Sequence, residues 1–146
     1  MSTTTHYTTI KTLDENNTDT LKNVAEVTGR GLLVTLFALS GLGKITAYSA
    51  TQAYMASQGV PGALLPLVIA TEVLGSLAIL FGWHTRIVAF LMAGFTMLTA
   101  LMFHTNFADQ VQMIMFMKNI AITGAFTMLI AHGAGAYSLD ARRAKA

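Results

Sequence analysis

The chain has 146 residues, of which 11% are charged and 53% apolar, with a net charge of +2. Soluble domains carry roughly 25% charged residues, so this composition, with a mean hydropathy of +0.56, indicates a membrane protein. The lack of cysteine excludes disulfide exchange, thiolate nucleophiles, iron–sulfur ligation and cysteine zinc sites, and no aromatic-and-basic interleaving of the kind that binds nucleic acid is present.

Residues 1–23 are polar and read as a mostly disordered cytoplasmic tail; a cleavable signal would need its apolar stretch nearer the amino end. The first hydrophobic span covers 24–47, interrupted at its start by Glu26 and Arg30 and charge-free only over Gly31–Gly43. Tyr48–Pro61 follows as a short helix stopped by Gly59 and Pro61, placed to act as an outer lid. The second span is Gly62–Gly82, with Glu72 at its middle. Trp83-His84-Thr85 is so short a link that the second and third spans, the latter Arg86–Thr105, must pack antiparallel. A connection with Asn106 and Asp109 leads to the fourth span, Met113–His132, which contains Lys118. Each span is near the ~20 residues that cross a ~30 Å hydrocarbon layer as a helix. The fold expected is an all-α membrane protein: an antiparallel four-transmembrane-helix bundle over 24–137 with a short outer lid helix, then a basic cytoplasmic tail at 138–146.

Basic residues orient the spans. Lys11, Lys22, Arg30, Arg86, Arg142, Arg143 and Lys145 fall on one side and only Lys44 flanks the other, which predicts both termini cytoplasmic.

Depth turns the scattered polar residues into a candidate site. Glu72 lies roughly 15 Å below Gly62 and Lys118 roughly 9 Å below Gln112, at 1.5 Å per helical residue. Lys44 and His104 lie in the outermost turns of the first and third spans. Small residues continue these faces: Ser40 before Lys44, Gly75 and Ser76 after Glu72, Thr96, Thr99 and Ala100 on the third span, and Ala121 and Ala125 beside Lys118. Each central ionised residue costs about 2.5–3.5 kcal/mol to insert. A pair at 4 Å recovers on the order of 4 kcal/mol at an effective dielectric of 20. A structural ion pair between Glu72 and a lysine therefore explains the charges as well as a ligand or proton site does. Lys44, at a span end, also suits interfacial snorkelling. His84 and His132 share the inner rim but are too few to argue for haem. Met113, Met115 and Met117 repeat with a period of two, which keeps to no helix face, so no metal site is assigned.

Several ordered segments resemble the DoxX family of small bacterial membrane proteins. They are Ser40-Gly41-Leu42-Gly43-Lys44, Tyr54 through Pro61, Glu72, Gly82, Thr85-Arg86, His104, Lys118-Asn119-Ile120-Ala121 and Gly133 through Asp140. The resemblance covers about Arg30 to Arg143. It implies a four-helix bundle in the bacterial inner membrane and, through the subunit of thiosulfate:quinone oxidoreductase for which the family is named, a redox association. Related bundles that use paired cysteines for quinone-linked disulfide chemistry offer no mechanism for a chain without cysteine.

The candidate binding cluster is Lys44, Tyr54, Glu72, His104, Lys118 and Asn119, with no catalytic residue assigned. One reading is a redox-associated subunit binding a quinone or small oxyanion, with no covalent cofactor and with a soluble or membrane redox partner. A second is a carrier or binding protein for a small molecule or lipid. A third is an assembly partner, or a homo-oligomer, whose buried charges set helix register. Two lysines beside one intramembrane glutamate leave a formal surplus of +1, which suits an anionic or carbonyl-bearing guest.

Overall fold

The computed structural model describes residues 17–146 in full and, before Asn17, only the helical backbone from Thr3. Most of the polar tail, Lys11 included, lies outside the fully described residues, while 17–23 continue the first helix, exposed through Lys22. The order is α1 (Thr3–Thr46), α2 (Tyr48–Ser57), a 3-10 turn at Gly62–Leu64, α3 (Leu65–Phe81), α4 (Thr85–Phe103), α5 (Gln110–His132) and α6 (Leu139–Arg143). Among the described residues four helices are long and apolar enough to cross a membrane: Asn17–Thr46, Gly62–Phe81, Thr85–Phe103 and Gln110–His132. This is the four-helix bundle expected, with α2 as the short helix after the first span. In hydrocarbon every backbone N–H and C=O must be bonded internally, so apolar runs of this length become helices.

α1 packs along α3 and α4 along α5, with α3 and α4 joining the two pairs. Glycine permits the closest approaches. A Cβ at Gly41 would stand 2.8 Å from Val73 Cγ2 and 3.3 Å from Glu72 Cβ, so α1 lies directly on α3 there. The core of the lower half joins Val34 and Phe37 of α1, Ile79 of α3, Ala89, Met92 and Ala93 of α4, and Phe126 of α5. Phe37 and Phe126 meet with ring centroids 5.5 Å apart, a tilted geometry favoured by aromatic quadrupoles. A smaller cluster of Met55, Val60 and Leu65, with Phe103 against it, seats the α2 segment on the opposite end.

The end away from α2 is closed by the carboxy-terminal segment. Arg30, only 2% exposed, donates to the carbonyls of Leu80 at 3.1 Å, Ile79 at 3.4 Å and Tyr137 at 2.6 Å. The last carbonyls of α3 have no helical partner, and their dipole favours a cation there. Asp140 accepts from the backbone N–H of His84 and of Thr85, both at 2.8 Å, and its own N–H donates to Gly82 O at 2.9 Å. These bonds hold the short α3–α4 turn, where Gly82 (φ 66°) and His84 (φ 46°) are left-handed. The segment expected as a basic tail thus begins with a docked turn of helix.

Candidate functional site

Glu72 is placed by α3 on the side that meets α1, where it is 5% exposed. Lys44 Nζ donates to both of its carboxylate oxygens, at 2.8 and 2.9 Å, and to Ser40 Oγ at 2.6 Å. Ser40 Oγ in turn donates to Glu72 Oε1 at 3.2 Å. Ser40 and Lys44 are four residues apart, one helical turn, so both project from the same face of α1. The triad is formally neutral and internally bonded.

This geometry corrects the snorkelling expected of Lys44 and decides which lysine meets Glu72, which the sequence left open. Lys44 does not snorkel away from the bundle; its side chain is only 25% exposed and is bonded to Glu72. Lys118 is not the partner of Glu72. Its Nζ meets Met115 Sδ at 3.1 Å, on an exposed face of α5 that also carries Ala121 and Ala125. Helix pairing is the reason: α3 presents Glu72 to α1, whereas α5 packs chiefly on α4.

Beside the triad lies a cavity of about 480 Å³, bounded by all four spanning helices and by α2. Lys44, Tyr54, Glu72, His104, Lys118 and Asn119 all contribute to its wall. The rest of the wall is mainly apolar, with Phe37, Val68, Phe95 and Met102 among its residues. Leu36, Leu67, Leu98 and Met102 are themselves exposed on the outside of the bundle, so the cavity wall reaches the lipid-facing surface. Volumes of roughly 300–1,000 Å³ with a few placed polar groups are usual for small-ligand sites.

The other polar groups occupy distinct positions on this wall. Tyr54 stacks on Phe103 with centroids 5.7 Å apart, which fixes α2 over the cavity. His104 Nδ1 lies 2.8 Å from Gln112 Oε1, tying the end of α4 to the start of α5. Asn119 is 9% exposed, and its side-chain amide meets no hydrogen-bond partner among the described residues. Among those residues no group of three metal-ligating side chains comes together.

Two residues with structural weight were read differently from the sequence. Arg30 counts toward topology, although a basic residue nearly two turns inside an apolar span signals a buried partner. Asp140 appeared only within a matching segment, and nothing local indicates that its carboxylate will bond to the α3–α4 turn.

A family model described as DoxX matches residues 25–105. The chain is 53% identical over 120 residues to Inner membrane protein YqjF of Escherichia coli (strain K12), covering 82% of this chain and 92% of that protein. It is 38% identical over 117 residues to Inner membrane protein YphA of the same organism, covering 75% of this chain and 84% of that protein. No solved structure matches.

Proposed function

Because the chain belongs to the DoxX family and is a multi-pass inner-membrane protein, we propose that it binds a small amphipathic molecule in the cavity between its helices. The observation that carries this reading is the cavity of about 480 Å³, apolar over most of its wall, with the Ser40–Lys44–Glu72 triad at one side. An apolar body gains about 25 cal/mol for each Å² withdrawn from water. A head group that accepts hydrogen bonds meets the polar part of the wall, where Tyr54, His104, Lys118 and Asn119 join the triad.

A quinone satisfies these requirements, being flat and apolar with two carbonyl acceptors. In that form of the reading the chain is the quinone-binding subunit of a redox pair, and a partner protein supplies the electrons. Orientation belongs to the same proposal: with both termini cytoplasmic, the cavity lies in the periplasmic half of the bilayer.

The protein in phosphatidylcholine nanodiscs, titrated with a short-chain ubiquinone and with decanol against empty nanodiscs, tests the reading. Saturable binding of at least one probe at a single site is expected, weakened about tenfold or more by Val68→Trp, whose ring would occupy the cavity; a tenfold loss corresponds to about 1.4 kcal/mol. Absence of saturable binding by either probe, and by the anionic probes below, overturns it.

A further inference from the structure

We infer that the guest carries an anionic head group, selected by Lys118 and Asn119 rather than by the Lys44–Glu72 pair. The inference rests on the binding reading above and specifies the chemistry of its ligand. Five groups decide it. Lys44 and Glu72 cancel each other, and Ser40 completes their bonding, so this side of the cavity presents no net charge. Lys118 contributes the remaining formal charge on the cavity wall; its side chain is exposed, and among the described residues its ammonium meets only a thioether sulfur, at 3.1 Å. Thioether sulfur is a weak acceptor, and an ammonium offers three donors. The next residue, Asn119, is itself 9% exposed and lines the same cavity, with a side-chain amide that meets no partner among the described residues.

A cation and an adjacent amide donor, both unsatisfied, form a receptor for a negatively charged oxygen group. Lys118 lies roughly 12 Å along α5 from Gln110, at 1.5 Å per residue, well inside the membrane-spanning length. An uncompensated charge is expensive at such depth. A carboxylate or phosphate monoester would remove that cost and bring its own chain into the apolar part of the cavity. The class of ligand is therefore a single acyl or alkyl chain ending in an anionic oxygen head, as in a fatty acid or a monoalkyl phosphate.

Decanoate, decyl phosphate, decanol and the short-chain ubiquinone are compared at pH 8 in phosphatidylcholine nanodiscs, with wild type, Lys118→Gln, Lys118→Arg and Asn119→Leu. At least one anionic probe is expected to bind about tenfold or more tighter than decanol, from a charge-assisted bond worth about 1.5–3 kcal/mol. The preferred anion, decanoate or decyl phosphate, identifies the head group. Lys118→Gln weakens binding of the preferred anion about tenfold or more and so removes the preference, Lys118→Arg restores it, and Asn119→Leu reduces it. Equal binding of the anions and decanol, a preference that survives Lys118→Gln, or tighter binding of the quinone overturns the anionic assignment. Binding of neutral probes alone would leave the broader reading standing, which separates the two failures.

Discussion

Lys44 Nζ sits almost equidistant from the two carboxylate oxygens of Glu72, at 2.8 and 2.9 Å, across the α1–α3 contact. Removing one member of such a buried pair leaves the other uncompensated, at a cost of roughly 3–5 kcal/mol. Glu72→Gln is therefore expected to lower stability by about 3 kcal/mol, and Lys44→Met by a similar amount. The double substitution should cost clearly less than the sum, because neither charge is then stranded. Thermal unfolding of the four proteins in one detergent measures the coupling; strict additivity would show that the pair contributes nothing. Glu72→Gln should also exceed any change at Phe90, whose ring is exposed.

The α1–α3 approach depends on Gly41. Its missing Cβ would press on Val73 Cγ2, and valine, branched at Cβ, has little rotamer freedom with which to yield. Gly41→Ala should destabilise by about 1–3 kcal/mol and disturb the Lys44–Glu72 geometry. Gly43→Ala, where a Cβ meets nothing within 4 Å, should be neutral or slightly stabilising. The two variants, compared by melting temperature, separate packing from helix propensity. A larger loss at Gly43 would contradict the packing described.

Asp140 supplies a pH dependence. Burial pushes its carboxyl pKa up, but the N–H groups of Thr85 and His84, the Thr85 hydroxyl close by and the charge of His84 outweigh burial and hold it below the ordinary carboxylate value. A group whose pKa is lowered by folding stabilises the fold above its unfolded value of about 3.9 and loses that contribution as pH falls through the folded value. Wild type should exceed Asp140→Asn in stability by about 1 kcal/mol at neutral pH, the scale of a helix-capping bond. The difference should shrink below about pH 4. Melting curves of both proteins between acidic and neutral pH decide this, and a gap that widened on acidification would contradict it.

Topology is tested by fusions. Alkaline phosphatase joined after Ala146 should be inactive and a fluorescent protein at Met1 bright, if both termini are cytoplasmic; the reverse pattern would invert the orientation. The prediction rests on basic residues, Arg86, Arg142, Arg143 and Lys145 among them, gathering at the Arg30 end. Arg143 also reaches His84 Nε2 at 3.0 Å and lies 6.0 Å from the Trp83 ring centre, so part of this charge is engaged with the α3–α4 turn.

The sequence alone determined the four spanning helices, the short helix after the first span and the depth of Glu72. These follow from backbone bonding in hydrocarbon and from a fixed rise per residue, both local properties. It also grouped Lys44, Tyr54, Glu72, His104, Lys118 and Asn119 toward one end of the bundle, and these six are among the residues on the cavity wall. Which lysine Glu72 would meet was not legible. That depends on rotation about each helix axis and on which helices are neighbours, and these are settled by side-chain packing. Gly41 admits α3 against α1 and brings Lys44 to Glu72, while Lys118, on the helix paired with α4, is left facing the cavity without a strong acceptor. Arg30 and Asp140 show the same division. Their partners, the carbonyls ending α3 and the amides opening α4, come from segments 49 or more residues away and reach them only when the helices have packed.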